Sequence, residues 1–179
     1  MHKCGISHRD IKLENILLDA EANALLCDLG FSSIQESGRL HECKGTPGYM
    51  APEMFTEEGY LGAQVDVFAL GVTLFALKMG RPPFQHASMQ DEFYATMVND
   101  PTRFWASWHE YSRAHSIRIS DEFQNLIMKM LSHAPDDRPT IDQILAHEWM
   151  QGSTEIPLCE MSEGHDLDIQ KLDTAGSAE

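Results

Sequence analysis

Asp10, Lys12 and Asn15 lie within six residues of one another in the stretch SHRDIKLENILL, Ser7 to Leu18. A carboxylate can orient a hydroxyl and take up its proton, an ammonium can offset negative charge, and an amide can both donate and accept. For the three to act together the turn that carries them must be anchored. The apolar run Ile16–Leu18 comes directly after them, and with Ala24–Cys27 it flanks DAEAN, whose Asp19 and Asn23 suit a turn. The site is therefore expected on a loop between short strands. Taken alone, an Asp-x-Lys pair is ordinarily a solvated surface turn, so the remaining sequence has to decide.

Composition narrows the classes. The chain has 179 residues, 42% apolar and 23% charged, with a formal charge of -15. That length suits one globular domain with an ordinary core. The acidic balance argues against a nucleic-acid partner and against anionic membrane surfaces. Cys4, Cys27, Cys43 and Cys159 are scattered with no C-x-x-C pair, as in free thiols of a reducing compartment. His2/Cys4 and His41/Cys43 lack the paired spacing of a zinc site. Met1–Asp10 shows no signal-peptide apolar region, and Val67–Leu77, flanked by Asp66 and Lys78, is short for a bilayer span. An intracellular, cytoplasmic location without membrane insertion is expected.

From Asp28 to Pro52 turn formers dominate, and a loop that long inside a compact domain is usually functional. Gln64–Met79 is apolar on nearly every face and predicts a buried helix, stopped by Gly80 and Pro82-Pro83. The spacing Ser88–Asp91 predicts a helix opening at Ser88 and running to about Val98. Ser120, with Asp121 and Glu122 behind it, opens a third helix, and Thr140 with Gln143 opens a last one ending near Trp149. Residues 100–119 hold two tryptophans without clear periodicity and are open to packing or to docking. Residues 151–179 carry seven acids against one lysine and predict a disordered tail. They have no basic amphipathic pattern.

The loop HRDIKLEN resembles the H-R-D-x-x-x-x-N catalytic loop of the eukaryotic protein kinases. The motifs downstream of it keep that family's order. CDLG (Cys27–Gly30) stands at the D-F-G position, and GTPGYMAPE (Gly45–Glu53) at the end of the activation segment. DVFALG (Asp66–Gly71) falls in the central helix, and DRPT and HEW close the series. Six fixed identities at about one in twenty each arise by chance on the order of 10⁻⁸ per start position. The resemblance covers residues 1–150. It implies a mainly α-helical, protein-kinase-like C-terminal lobe with a few short β-strands, the N-terminal lobe missing, and a separate acidic tail over 151–179.

By that resemblance Asp10 orients the acceptor hydroxyl and takes its proton, and Lys12 meets the transferring phosphoryl group of ATP. Asn15 and Asp28 supply the hard oxygens that Mg²⁺ prefers. Leu17 and Cys27 face the adenine and phosphate cleft, Cys27 as a small filler rather than a reactive thiol. Glu14 stands where some members meet a basic substrate residue, although a solvated loop charge reads equally well. Thr46 is expected to hydrogen-bond Asp10 and Lys12, Asp66 to accept backbone N–H groups of the loop, and Glu53 to pair with Arg138. Lys12 and GTPGYMAPE resemble the serine/threonine branch, in look closest to its calmodulin-dependent and AMP-activated members. The implied partners are ATP and proteins bearing Ser/Thr acceptors.

Leu29, Phe68 and Glu148 replace the family's usual Phe, Trp and Pro, all at packing or turn positions. No G-x-G-x-x-G loop, V-A-I-K lysine or partnering glutamate occurs in the 179 residues. A non-catalytic docking module built on a kinase-like lobe is the competing reading, although such a module does not require Asp10, Asn15 and Asp28. The usual activating phosphorylation position falls on Glu42, with Arg9 as its cation. Glu42 is either a weak stand-in for phosphate or a solvated acid. If it is a stand-in, Glu42→Ala lowers the activity of the full-length protein, and unchanged turnover retires the idea.

Overall fold

The computed structural model describes residues 1–34 and 38–152. The predicted acidic tail, with Cys159, lies outside them but for Gln151 and Gly152. The fold is helix-rich with a few short strands. Its axis is helix α1, Gly62–Met79, with Phe68, Val72, Phe75 and Met79 fully buried. Apolar residues on nearly all faces require neighbours on nearly all faces, and the other elements supply them. α1 is longer than its apolar run suggested, and by length and composition it could cross a bilayer. Its side chains are instead the centre of the core. At Gly71 an added Cβ would sit 2.9 Å from Met130 Cβ and from Leu131, so the missing side chain sets how near the helix carrying them comes. Gly80 ends α1 at φ 74, its N–H donating to Ala76 O.

Ahead of α1 lie two antiparallel pairs. β1 (Ile6–Ser7) pairs with β4 (Ser33–Ile34), and β2 (Ile16–Leu18) pairs with β3 (Ala24–Leu26) in the register Leu17↔Leu25. Asp19 closes the β2–β3 turn by accepting the N–H groups of Glu21 at 3.0 Å and Asn23 at 2.8 Å. The hairpin forms where the sequence predicts it.

The next helices differ in detail. α2 (Glu92–Asn99) opens three residues later than a Ser88 cap would place it, because Asp91 is its cap. Asp91 Oδ1 accepts the Tyr94 N–H at 3.0 Å, while Oδ2 accepts those of Gln85 and His86, joining the loop to the helix. Ser88 serves only a turn, accepting from Gln90 N. The aperiodic tryptophan segment is mostly a helix, α3 (Pro101–Ala114), capped by Asp100 with proline in its first turn. Phe104, Trp105 and Trp108 are buried there, and Trp108 stands edge-on to Phe75 at 4.7 Å. It packs, rather than docks.

α4 (Asp121–Met130) is capped by Ser120, and α5 (Ile141–Leu145) carries the full Thr140–Gln143 capping box. The predicted last helix is two. α6 (Glu148–Gln151) starts afresh because His147, drawn to Asn125 Oδ1 at 3.0 Å, takes an extended backbone and caps it.

Glu53, on the single turn Pro52–Phe55, pairs with Arg138 across 85 residues. Arg138 Nη2 donates to Glu53 Oε2 at 2.8 Å, Nε donates to Ser132 O, and Nη1 to Gln64 O. The guanidinium lies over the Phe68 ring at 4.8 Å, so the phenylalanine at that central-helix position still supplies an aromatic face. With the Arg138 side chain fully buried, Arg138→Ala strands a carboxylate. It is expected to cost about 3–5 kcal/mol, read as a lower denaturant midpoint at unchanged slope.

Candidate active site

The loop between β1 and β2 is held from beneath by α1. Asp66, 1% exposed, accepts the backbone N–H of His8 at 2.8 Å and of Arg9 at 2.7 Å. Arg9 sits at φ 68, a conformation uncommon outside glycine that persists only where the surroundings over-determine it. The buried Arg9 guanidinium donates to Phe31 O at 2.6 Å and to Tyr60 Oη at 3.2 Å.

Asp10 is buried, and both its oxygens are engaged. Oδ1 accepts from Thr46 N at 2.9 Å and Thr46 Oγ1 at 2.7 Å. Oδ2 accepts from Asn15 Nδ2 at 3.1 Å and Lys12 Nζ at 3.1 Å. Lys12 also donates to Thr46 Oγ1 at 2.7 Å, and Asn15 Nδ2 donates to Asp10 O at 2.8 Å. The Thr46 contacts that the resemblance implied are present. Burial alone would raise the Asp10 pKa. The Thr46 hydroxyl, the Lys12 ammonium and the Thr46 N–H together outweigh it and hold the carboxyl below its ordinary range. Tyr49 is pushed up to about 12, chiefly by burial and further by the charges of Glu14 and Asp10.

Asp28 does not touch this cluster directly. Its strand does: Cys27 N donates to Asn15 O at 2.9 Å, and Cys27 Sγ lies 3.3 Å from the same oxygen. His8 supplies a second tie. Its Nδ1 accepts from Asp10 N at 3.3 Å, so Nε2 carries the proton and donates to Cys27 O at 3.0 Å. Asp28 comes next at φ 64, exposed, with Oδ1 accepting from Gly30 N at 3.1 Å. Asn15 spends its amide nitrogen on Asp10, which leaves its side-chain oxygen for the cleft. An amide oxygen and a carboxylate are a donor set that fits Mg²⁺.

Leu17 is 55% exposed, paired with exposed Leu25 across the hairpin, and Glu14 is exposed; neither enters the hydrogen-bonded cluster. Cys27 is half-buried. Glu42 Oε2 lies 3.5 Å from Arg9 Nη1, but Lys44 is nearer, 3.1 Å from Oε1. Lys44, more than Arg9, holds the Glu42 carboxyl below its usual value. Both alternatives for Glu42 thus have a contact: the acid meets Arg9 and is solvated. The loop around it is fixed by backbone, Tyr60 Oη donating to Glu42 O at 2.6 Å. The roles of Tyr60 and His8 are not apparent from sequence. His8 stands inside the HRDIKLEN motif, whereas nothing in the spacing marks Tyr60. A cavity of about 950 Å³ between the hairpin, α1 and α5 is lined by His8, Ile11 and Asp66 but not by Asp10.

A buried, hydrogen-bonded acid thus lies beside a lysine on a helical platform, with an amide oxygen and a carboxylate tethered nearby. The family model of the protein kinase domain matches residues 1–150. The chain belongs to the protein kinase family, in its serine/threonine division. It is 35% identical over 155 residues to the serine/threonine-protein kinase CHK1 of Saccharomyces cerevisiae, covering 83% of this chain and 28% of that protein. It is 36% identical over 157 residues to CBL-interacting serine/threonine-protein kinase 13 of Arabidopsis thaliana, covering 84% and 28%. With CBL-interacting protein kinase 33 of Oryza sativa subsp. japonica it shares 33% over 178 residues, covering 96% and 36%. The chain therefore spans 28% to 36% of the length of these relatives.

Because the folded Asp10 carboxyl titrates below its ordinary value, its contribution to stability is complete above about pH 4 and is lost as the pH falls through the lower folded value. Asp10→Asn is expected to flatten that acid limb. Parallel acid-unfolding curves for the two chains check it.

Proposed function

We propose that these residues form the C-terminal, substrate-facing part of an ATP-dependent protein serine/threonine kinase that is itself intracellular and cytoplasmic. The observation that carries the reading is the convergence on Asp10 of Lys12, Asn15 and Thr46, three donors from two separated segments. Asn15 and Asp28 would hold Mg²⁺, which when bound neutralises phosphate charge. Cys4, Cys27 and Cys43 are free thiols, in keeping with a reducing compartment.

Both oxygens of the Asp10 carboxylate already accept two hydrogen bonds, so a substrate hydroxyl needs a position vacated. Lys12 is the donor suited to leave, since its side chain is 21% exposed and flexible whereas Thr46 and Asn15 are tied to backbone. Swinging from Asp10 toward the γ-phosphoryl group, Lys12 frees Oδ2 and follows the charge. The hydroxyl oxygen then bonds to phosphorus, the bond to the β,γ-bridging oxygen breaks, and the hydroxyl proton passes to Asp10. ADP and the phosphorylated protein are the products. The 179 residues hold no Gly-rich loop or strand lysine to cover the phosphates, so alone they are proposed to turn over negligibly, with water reaching the site.

The test joins the chain in frame to the ATP-covering lobe of a serine/threonine kinase. Phosphorylation of Ser/Thr peptides is expected, with Asp10→Asn lowering kcat by about 10²–10⁴. Failure of the fusion to transfer phosphate, or ready turnover by the unfused 179 residues, would count against it.

A further inference from the structure

For Thr46 to reach Asp10, the segment between Asp28 and Thr46 must be held, and the hold falls on a tyrosine outside the proposed chemistry. Tyr60 is 1% exposed, its ring in the main core and its hydroxyl between two distant groups. Arg9 Nη1 donates to Oη at 3.2 Å, so the hydroxyl proton goes to Glu42 O, 2.6 Å away. We propose that Tyr60 is a positioning residue whose hydroxyl, and not the Glu42 carboxylate, seats the segment leading to Thr46 on the loop that carries Asp10.

The two groups differ in their surroundings. The Glu42 carboxylate is exposed, 3.5 Å from Arg9 and shared with Lys44, and water and salt screen such a pair. The Tyr60 hydroxyl is shielded. Removing it deprives the Glu42 carbonyl of its donor and the buried Arg9 Nη1 of an acceptor. The backbone holds the same stretch one step earlier. Leu40 N donates to Tyr60 O at 2.9 Å and Tyr60 N to Leu40 O at 2.8 Å, while Arg39 Nη1 donates to Gly59 O at 3.0 Å. A bridge one residue pair wide leaves the chain beyond it free to turn about its own hydrogen bonds. The hydroxyl, two residues farther along at Glu42, is a second fixed point and stops that rotation. Four residues on, Thr46 gives its N–H and its hydroxyl to Asp10 Oδ1, so the direction set at Glu42 reaches the acid. A hold that is buried and uncharged needs neither a phosphate nor a stand-in for one.

That this seat governs phosphate transfer rests on the kinase reading. The seat itself does not, and it is read without activity. Amide hydrogen exchange followed by NMR on the full 179-residue chain gives the rate at each position. In Tyr60→Phe the Leu40 and Thr46 amides are expected to exchange at least about tenfold faster, while Leu126 and Ile127 in α4 change less than about twofold. Glu42→Ala, and separately about 0.5 M salt on the unsubstituted chain, are expected to move Leu40 and Thr46 less than about twofold. The Asp10 carboxyl, followed by its carbon shift, is expected to titrate at higher pH in Tyr60→Phe, as Thr46 loosens, with no upward move in Glu42→Ala. Unchanged Leu40 and Thr46 rates or an unmoved Asp10 titration in Tyr60→Phe, an equal rise in α4, or Glu42→Ala matching Tyr60→Phe would each overturn the proposal. Should Tyr60→Phe not fold, the unsubstituted chain decides: a Tyr60 hydroxyl proton protected from exchange and in nuclear Overhauser contact with Glu42 supports the seat, and its absence defeats it.

Discussion

A non-glycine backbone in the left-handed region is the constraint on which the site turns. Arg9 sits there at φ 68, at an expected cost of about 1–3 kcal/mol. The buried Asp66 carboxylate makes this stable by taking two consecutive N–H groups, and Asp66 can do so because α1 is immobilised on all sides by the core. A short loop thus inherits the rigidity of an 18-residue helix. The guanidinium of the same Arg9 reaches Phe31 and Tyr60, so one residue joins β1, the segment behind Asp28 and the loop before α1.

The second organising feature is that Asp28 and Asp10 do not touch. Two like-charged carboxylates placed side by side would raise one pKa. Tethering by backbone, through Asn15 O, Cys27 N and the His8 ring, sets their separation without forcing the charges together. Asp28 remains exposed and, like Arg9, left-handed at φ 64, so its carboxylate is aimed by a short turn rather than by packing.

How much of this the sequence disclosed depends on range. Local signals were legible: the Asp19–Asn23 turn, the Thr140–Gln143 capping box and the Gly80 stop each depend on residues a few positions apart. Motif order disclosed the loop, Thr46 and the Glu53–Arg138 pair. Less legible were choices made between near neighbours by distant partners. Ser88 and Asp91 are both credible caps, and Asp91 won because its second oxygen also serves Gln85 and His86. α3 carried a start signal in Asp100-Pro101, but its aromatic residues wrap toward Phe75, so a search for a clean stripe passes over it. His2 to Asp66 and Arg9 to Tyr60 span 64 and 51 residues, and no spacing rule reaches that far.

The full occupancy of Asp10 bears on what can reach it. A lone water entering the cleft meets a carboxylate whose lone pairs already face Thr46, Asn15 and Lys12. It finds both oxygens of that carboxylate engaged. The same hydrogen bonds that shape the loop therefore hold the acid's oxygens in reserve.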